Sequence, residues 1–273
     1  MTLKATILGC GSSGGVPRVG GDWGVCNPKE PKNRRTRCSL LLEYWVGSKE
    51  PSLDDKTIIL IDTSPDLREQ LLSSDVKRID ALLYTHDHAD QTHGIDDLRA
   101  LAYRMRKKIP TYMDEHTHQH LSKRFDYCFE VPDGRHHPSI LEMKPLIKGG
   151  ESFVVNGPGG GVDIKSITLS HGPTPSLGFK FENKLVYSPD LWDIPDKSIK
   201  YITDTHTWII DSLRYSDHPT HFNADKALAW IAKTRTKQGI LTNLHIDMDY
   251  ETLSNEIFGN TIVAYDKLEI IIN

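Results

Sequence analysis

Short apolar runs bounded by Gly, Pro, Asp or Ser recur from one end of the chain to the other. The runs at 57–61, 79–84, 111–113, 162–169, 177–181, 185–188, 207–210 and 239–243 are rich in β-branched and aromatic residues and predict strands. Between several of them the apolar positions return every three or four residues. That spacing predicts helices over 65–72, 95–107, 116–124 and 223–233. Pro65 suits the first position of its helix, where a missing N–H is no loss. Asn223 is placed to cap the last of the four. Strands outnumber helices, and helices separate many of them. This is the pattern of a layered α/β sandwich with two sheets inside and helices outside.

Two Gly- and Pro-rich stretches, 9–24 and 149–161, are flanked by sheet-forming segments and read as turns rather than interdomain linkers. Residues 1–273 are therefore expected to form a single domain, a size at which α/β folds are often undivided. One echo stands out: Trp208-Ile209-Ile210-Asp211 repeats the pattern of Ile59-Leu60-Ile61-Asp62, a buried strand ending in an acid. It fits two strand-rich halves folded against each other.

Composition narrows the function classes. A net charge of −4 argues against a broad electropositive surface for large nucleic acids. No apolar run reaches membrane-spanning length, and the N-terminus lacks a basic region followed by an apolar signal segment. Cys10, Cys26, Cys38 and Cys128 show no paired spacing, so free thiols and a cytoplasmic location are expected.

Chemistry concentrates at Thr85-His86-Asp87-His88-Ala89-Asp90-Gln91, just after a predicted strand. Two histidines at i and i+2 with a carboxylate at i+4 offer the nitrogen and oxygen donors that Zn²⁺, Mn²⁺ or Fe²⁺ require. Four more residues of the same chemistry follow strand-like runs elsewhere: Asp62, His171, Asp190 and His245. In this order the five signals resemble those of the metallo-β-lactamase fold. The resemblance spans most of the chain and implies a four-layer αββα sandwich. It places one ion on His86, His88 and His171 and a second on Asp90 and His245, with Asp190 bridging. Asp62 would orient the metal-binding loop without touching metal.

The Gly-rich turn Leu8-Gly9-Cys10-Gly11-Ser12-Ser13-Gly14-Gly15-Val16-Pro17 has neither a Walker ending nor a dinucleotide pattern. Together with Arg34-Arg35-Thr36-Arg37-Cys38 and Gly94-Ile95-Asp96-Asp97-Leu98-Arg99, it resembles the PhnP-like phosphodiesterase branch of that fold. The arginines are candidates for facing an anionic substrate. The branch implies a metal-dependent hydrolase that opens small cyclic or nucleotide-like phosphate esters by attack of a metal-activated hydroxide, using one or two Mn²⁺ or Zn²⁺ ions. A homodimer is compatible with the fold, but no residue pattern marks an interface. His221 in Pro219-Thr220-His221 is expected as the proton donor to the leaving oxygen, ahead of His218, with Asp211 orienting it. The expected catalytic set is then His221, Asp90 and Asp211.

The sequence departs from the family in two places. The family reads HxHxDH, and the sixth position here is Gln91, a poorer ligand whose presence predicts a weaker second site or a harder ion such as Mn²⁺. His93 is a candidate substitute, or simply lines the next helix. Some PhnP-like members also carry a structural zinc on clustered N-terminal cysteines. Only Cys26 lies in that stretch, with Asp247 and Asp249 after His245, so no such zinc is expected. His116, His118 and His120 are expected to form a solvated helix face, because i and i+2 diverge on a helix. His136-His137 is expected to be loop. Two other functions compete: tRNA 3′ processing, whose enzymes need a basic arm not visible here, and a nucleotide- or metal-binding protein whose catalysis is weakened at Gln91.

Overall fold

The computed structural model describes residues 1–130 and 137–273; His136 of the expected His136-His137 loop falls outside them. The first half of the chain carries β1 (Thr2–Gly9), β2 (Ser39–Trp45), β3 (Thr57–Ile61), β4 (Ala81–Leu83), β5 (Ile109–Tyr112) and β6 (Leu141–Met143). The second half carries β7 (Ser152–Gly157), β8 (Gly160–His171), β9 (Thr174–Phe181), β10 (Leu185–Ser188), β11 (Thr207–Asp211), β12 (Gln238–Thr242) and β13 (Thr261–Val263). The last strand, β14 (Leu268–Ile272), crosses back and pairs antiparallel with β1. Among the described residues the result is two seven-stranded sheets, ordered 14-1-2-3-4-5-6 and 13-12-11-10-9-8-7.

Alternation within the strands explains the layers. In β3, Ile59 and Ile61 face the second sheet, while Ile58 and Leu60 face outward. In β11, Ile209 faces inward, whereas Trp208 and Ile210 face outward. Both faces of these strands are buried, so a period of two coexists with unbroken hydrophobicity. The inter-sheet core joins Leu40, Leu42 and Ile59 to Phe179, Phe181 and Tyr187.

The helices are α1 (Leu67–Ser73), α2 (Ala89–Thr92), α3 (Leu98–Met105), α4 (Glu115–Arg124), α5 (Asp126–Phe129), α6 (Asp196–Ile202), α7 (Ala224–Lys233) and α8 (Tyr250–Glu256). Residues of α1, α3 and α4 cover the outer face of the first sheet, and residues of α6, α7 and α8 cover the second. This is the expected αββα sandwich.

Several boundaries differ from expectation, each for a local reason. Pro65 does not begin its helix. The Leu67 N–H bonds the Ser64 carbonyl at 2.9 Å, so Pro65 lies in a turn and α1 starts two residues later. The predicted 95–107 helix opens as a 3-10 turn, Ile95–Asp97, and ends at Met105 because Arg106 adopts a left-handed φ of 53°. Asn223 does cap α7, its side chain accepting from the Lys226 N–H at 2.8 Å. Among the strands not predicted, β2 is buried throughout although Glu43 interrupts its apolar run. Lys56 approaches Glu43 to 2.8 Å and makes that burial tolerable.

Parallel pairing of β3 with β4, of β10 with β11 and of β11 with β12 aligns the carboxyl ends of these strands. Asp62, His86, Asp190, Asp211 and His245 all lie at or just beyond those ends. Open α/β sheets commonly place ligands there.

Candidate metal centre and active site

The loop after β4 is stitched to the end of β3. Thr63 N–H bonds the Gln91 carbonyl at 2.8 Å and Gly94 N–H bonds the Thr63 carbonyl at 3.0 Å. A Cβ on Gly94 would come within 2.0 Å of the Ser64 carbonyl oxygen, so no larger residue allows this approach. Asp62 is fully buried at a left-handed φ of 63°. Its carboxylate accepts from Thr85 N–H at 2.8 Å and from Thr85 Oγ1 at 2.9 Å. It thus holds the root of the loop through Thr85.

Hydrogen bonding sets the tautomers of the histidines. Thr85 Oγ1 donates to Asp62, so at 3.0 Å it accepts from His86 Nδ1–H, leaving Nε2 as the lone pair. His171 Nδ1–H donates to the Thr220 carbonyl at 2.8 Å, again freeing Nε2. His88 Nε2 lies 3.1 Å from Thr174 Oγ1. Its Nδ1 faces His171 Nε2 at 3.3 Å. Ligand nitrogens of the three rings therefore converge, all within 4.8 Å of one another. Holding one imidazole nitrogen so that the other can bind is what partners of metal ligands do. Burial pushes His86 well below the usual histidine range. Burial, reinforced by the charge of His221, lowers His171 to about 3. Both rings are neutral at physiological pH, as ligation requires.

Asp190 and Asp211 lie beside this cluster. Asp190 Oδ2 accepts from Gln91 Nε2 at 3.0 Å and Oδ1 from Asn243 Nδ2 at 3.2 Å. Asp211 accepts from His221 Nδ1–H at 2.8 Å, Asn243 Nδ2 at 3.0 Å and Leu191 N–H at 3.1 Å. His221 is raised to about 9: burial opposes its charge, and Asp211 and Asp190 outweigh burial. With Nδ1 committed to Asp211, Nε2 is the nitrogen open to a ligand.

These donors suit a divalent cation. His86 Nε2 and Gln91 Oε1 are buried without a hydrogen-bond partner, a costly state that a cation relieves. Burial, with the charges of Asp90, Asp211 and Asp62, drives the Asp190 carboxyl well above its usual range. Such crowding of buried carboxylates calls for a counter-charge.

His171, Asp190 and His221 form another close group of donors. Asp90 and His245 line the same pocket of about 340 Å³ with Ser12, Ser13, Arg18, Arg214 and His218. Neither joins a group of three converging donors among the described residues. The Arg18 guanidinium contacts His245 Nε2, and a guanidinium can only donate, so that nitrogen presents a lone pair. His245 Nδ1 is held by Asp247 at 2.5 Å. His93 turns away to stack edge-on against Phe125, at 5.6 Å between centroids.

The Beta-lactamase superfamily domain model matches residues 57–246. A solved structure of a diphosphatase from the PhnP family superposes with a TM-score of 0.86 at 30% identity, covering 100% of this chain and 98% of that one. The chain belongs to the metallo-β-lactamase superfamily, in its PhnP-like branch. Zn²⁺-bound PqqB from Methylobacterium extorquens shares the fold at a TM-score of 0.71 and 18% identity, over 98% of this chain and 99% of its own. An octanoyltransferase of Porphyromonas gingivalis is 30% identical over 99% of the chain, which spans about half that relative's length, 52%.

The pocket has a periphery that the sequence did not reveal. Arg35 is buried, donating to the Met248 carbonyl at 2.7 Å and to Asn33 Oδ1 at 3.2 Å, and Arg37 pairs with Asp66 at 2.9 Å. They brace loops rather than face the pocket, where Arg18 and Arg214 stand instead. Gly9 serves close packing: a Cβ there would lie 2.1 Å from the Arg37 carbonyl oxygen. Asn243, at φ 63° after β12, was also missed. A short polar residue directly after a buried strand was the available signal.

Proposed function

We propose that this hydrolase is a metal-dependent phosphodiesterase acting on small cyclic or nucleotide-like phosphate esters. One observation carries the reading: the converging imidazoles of His86, His88 and His171 reach, through His88, the same small polar pocket that is lined by His221, the partner of Asp211. His86, His88 and His171 would hold one ion and Asp90, Asp190 and His245 a second. Such ions supply Lewis-acid polarisation of a phosphoryl oxygen and lower the pKa of water.

The chain's own groups supply the rest. His221 stands charged near neutral pH, and Asp211 fixes its ring so that the Nε2 proton can pass to the leaving oxygen. Arg18 and Arg214, with the hydroxyls of Ser12 and Ser13, offer donors to non-bridging phosphoryl oxygens. Among the described residues, Leu213 is the one apolar side chain lining this pocket, so a fatty chain finds little to bury against. The similarity to a PhnP-family diphosphatase supports phosphoryl chemistry.

The test is hydrolysis of bis-p-nitrophenyl phosphate by metal-stripped protein as Mn²⁺ or Zn²⁺ is titrated back and bound metal is counted. Turnover should return with metal and rise with a second equivalent. Stoichiometric metal binding without turnover would favour a binding protein instead.

A further inference from the structure

The geometry points to an accessory divalent-cation site of the zinc or cobalt type, formed by Asp87, His116 and His120 on the side of the metal loop that faces α4. His116 and His120 are one turn apart on α4, where i and i+4 side chains meet, and their ring centroids are 4.2 Å apart. His118 points elsewhere, edge-on to Phe129 at 6.0 Å. The expectation of a merely solvated face therefore fails for the outer two histidines: i and i+2 diverge, but i and i+4 converge.

Asp87 supplies the third donor. It lies between His86 and His88, but its side chain turns toward α4. Oδ1 is 3.6 Å from His116 Nε2 and Oδ2 is 3.2 Å from His120 Nδ1. Donors at the corners of a tetrahedron, each about 2.0–2.1 Å from zinc, are about 3.3 Å apart. The 3.6 Å from Oδ1 to His116 Nε2 is close to that edge, and one donor atom from each of the three residues lies within 4.8 Å of the others. Hydrogen bonding does not account for the arrangement. His120 Nδ1 is buried without a hydrogen-bond partner despite its nearness to the carboxylate. Two imidazoles one helical turn apart plus one carboxylate is a familiar zinc donor set. The side chains of His116 and His120 are 36% and 39% exposed, which leaves room for water as a further ligand.

Arg124, one turn beyond His120, donates to the Asp87 carbonyl at 2.6 Å and to Oδ2 at 2.9 Å. It steadies Asp87 while leaving Oδ1 to the ion. Its positive charge also weakens cation binding, so it tunes the affinity. An ion here would grip the residue between two ligands of the catalytic centre, so the two sites are mechanically linked through the loop backbone.

A site of this kind makes a prediction opposite to that of a simple hydrogen-bonded clamp on the loop. The full chain, stripped of metal, is titrated with Co²⁺ and Zn²⁺ in equilibrium dialysis. At saturation the unaltered protein should bind one equivalent more than His116→Asn/His120→Asn, whose circular-dichroism melt should show that it is folded. Arg124→Gln should tighten that extra equivalent about tenfold by removing a nearby positive charge. In the unaltered protein, the ring resonances of His116 and His120 should shift as the extra equivalent fills, a readout that holds even if the double variant does not fold. Unmoved resonances up to millimolar metal, equal metal counts in folded proteins, or looser binding in Arg124→Gln would each overturn the site.

Discussion

Asp62 and Asp211 end the strands β3 and β11 on similar sequences, and both are fully buried. Their partners set them apart. Asp62 accepts from the neutral N–H and hydroxyl of Thr85, and burial drives its carboxyl well above the usual range. Asp211 faces His221, whose charge counters part of the penalty of burial. One acid braces the loop that carries His86 and His88, and the other holds a proton-bearing imidazole. The strand end provides a rigid, buried carboxylate in each half. Its task depends on what the neighbouring segment brings opposite it: the root of the metal loop beside β3, His221 and Asn243 beside β11.

The strongest test of this contrast is His221→Ala. It should lower kcat/KM about 10²- to 10⁴-fold on esters with poor leaving groups while metal content stays unchanged. The loss should be far smaller on p-nitrophenyl esters, which need little protonation; equal losses would remove His221 from the proton-transfer role. Asp211→Asn should show the same leaving-group dependence in weaker form. Asp62→Asn should instead loosen metal about 10- to 100-fold, as a lost ligand-orienting contact does, with no leaving-group bias. If both variants change the same parameter, the two strand ends are not functionally distinct.

Gln91→His asks whether the donors near Asp190 are complete as they stand. An imidazole there should tighten the second ion about tenfold in dialysis. An unchanged second equivalent would mean that Gln91 is not what limits this site.

The smallest effect comes from a third aspartate, Asp249, which shows the opposite balance. Burial pushes its carboxyl up, but donors from Thr252, Asn27 and Asn33 outweigh it and hold the group at about 2. A carboxyl depressed in the folded state stabilises above its unfolded value near 3.8, and that contribution fades as pH falls toward 2. Asp249 also caps α8, accepting from Thr252 N–H at 3.0 Å. Asp249→Ala should cost about 1–2 kcal/mol at pH 6. The gap in urea midpoint between the two proteins should shrink between pH 4 and pH 2.5. A gap independent of pH would show that Asp249 acts through shape rather than charge.

Legibility followed the range of each interaction. His86, His88 and Asp90 were readable because a strand end followed by i, i+2, i+4 ligands is a local pattern. The capping of α7 by Asn223 was readable for the same reason. Arg18 and Arg214 were not, since arginines in loops are usually just solvated, and only the packed chain shows which ones reach a pocket. Arg35 and Arg37 were candidates for contacting substrate, and both prove committed to internal partners. The pairing of Asp87 with His116 and His120 was hidden too, because nothing in either segment announces the other.

Alternation of apolar residues, the order of the strand-ending acids and histidines, and the family these motifs resemble were thus determined by the sequence alone. Each depends on residues within a few positions of one another, where backbone geometry dictates direction. Tertiary structure decided which lone pairs stay free, which carboxylates meet a cation and which arginines face the pocket. Those outcomes depend on separations of a few ångströms between segments far apart in the chain. The parallel register of β3 with β4, of β10 with β11 and of β11 with β12 brings such segments to one edge.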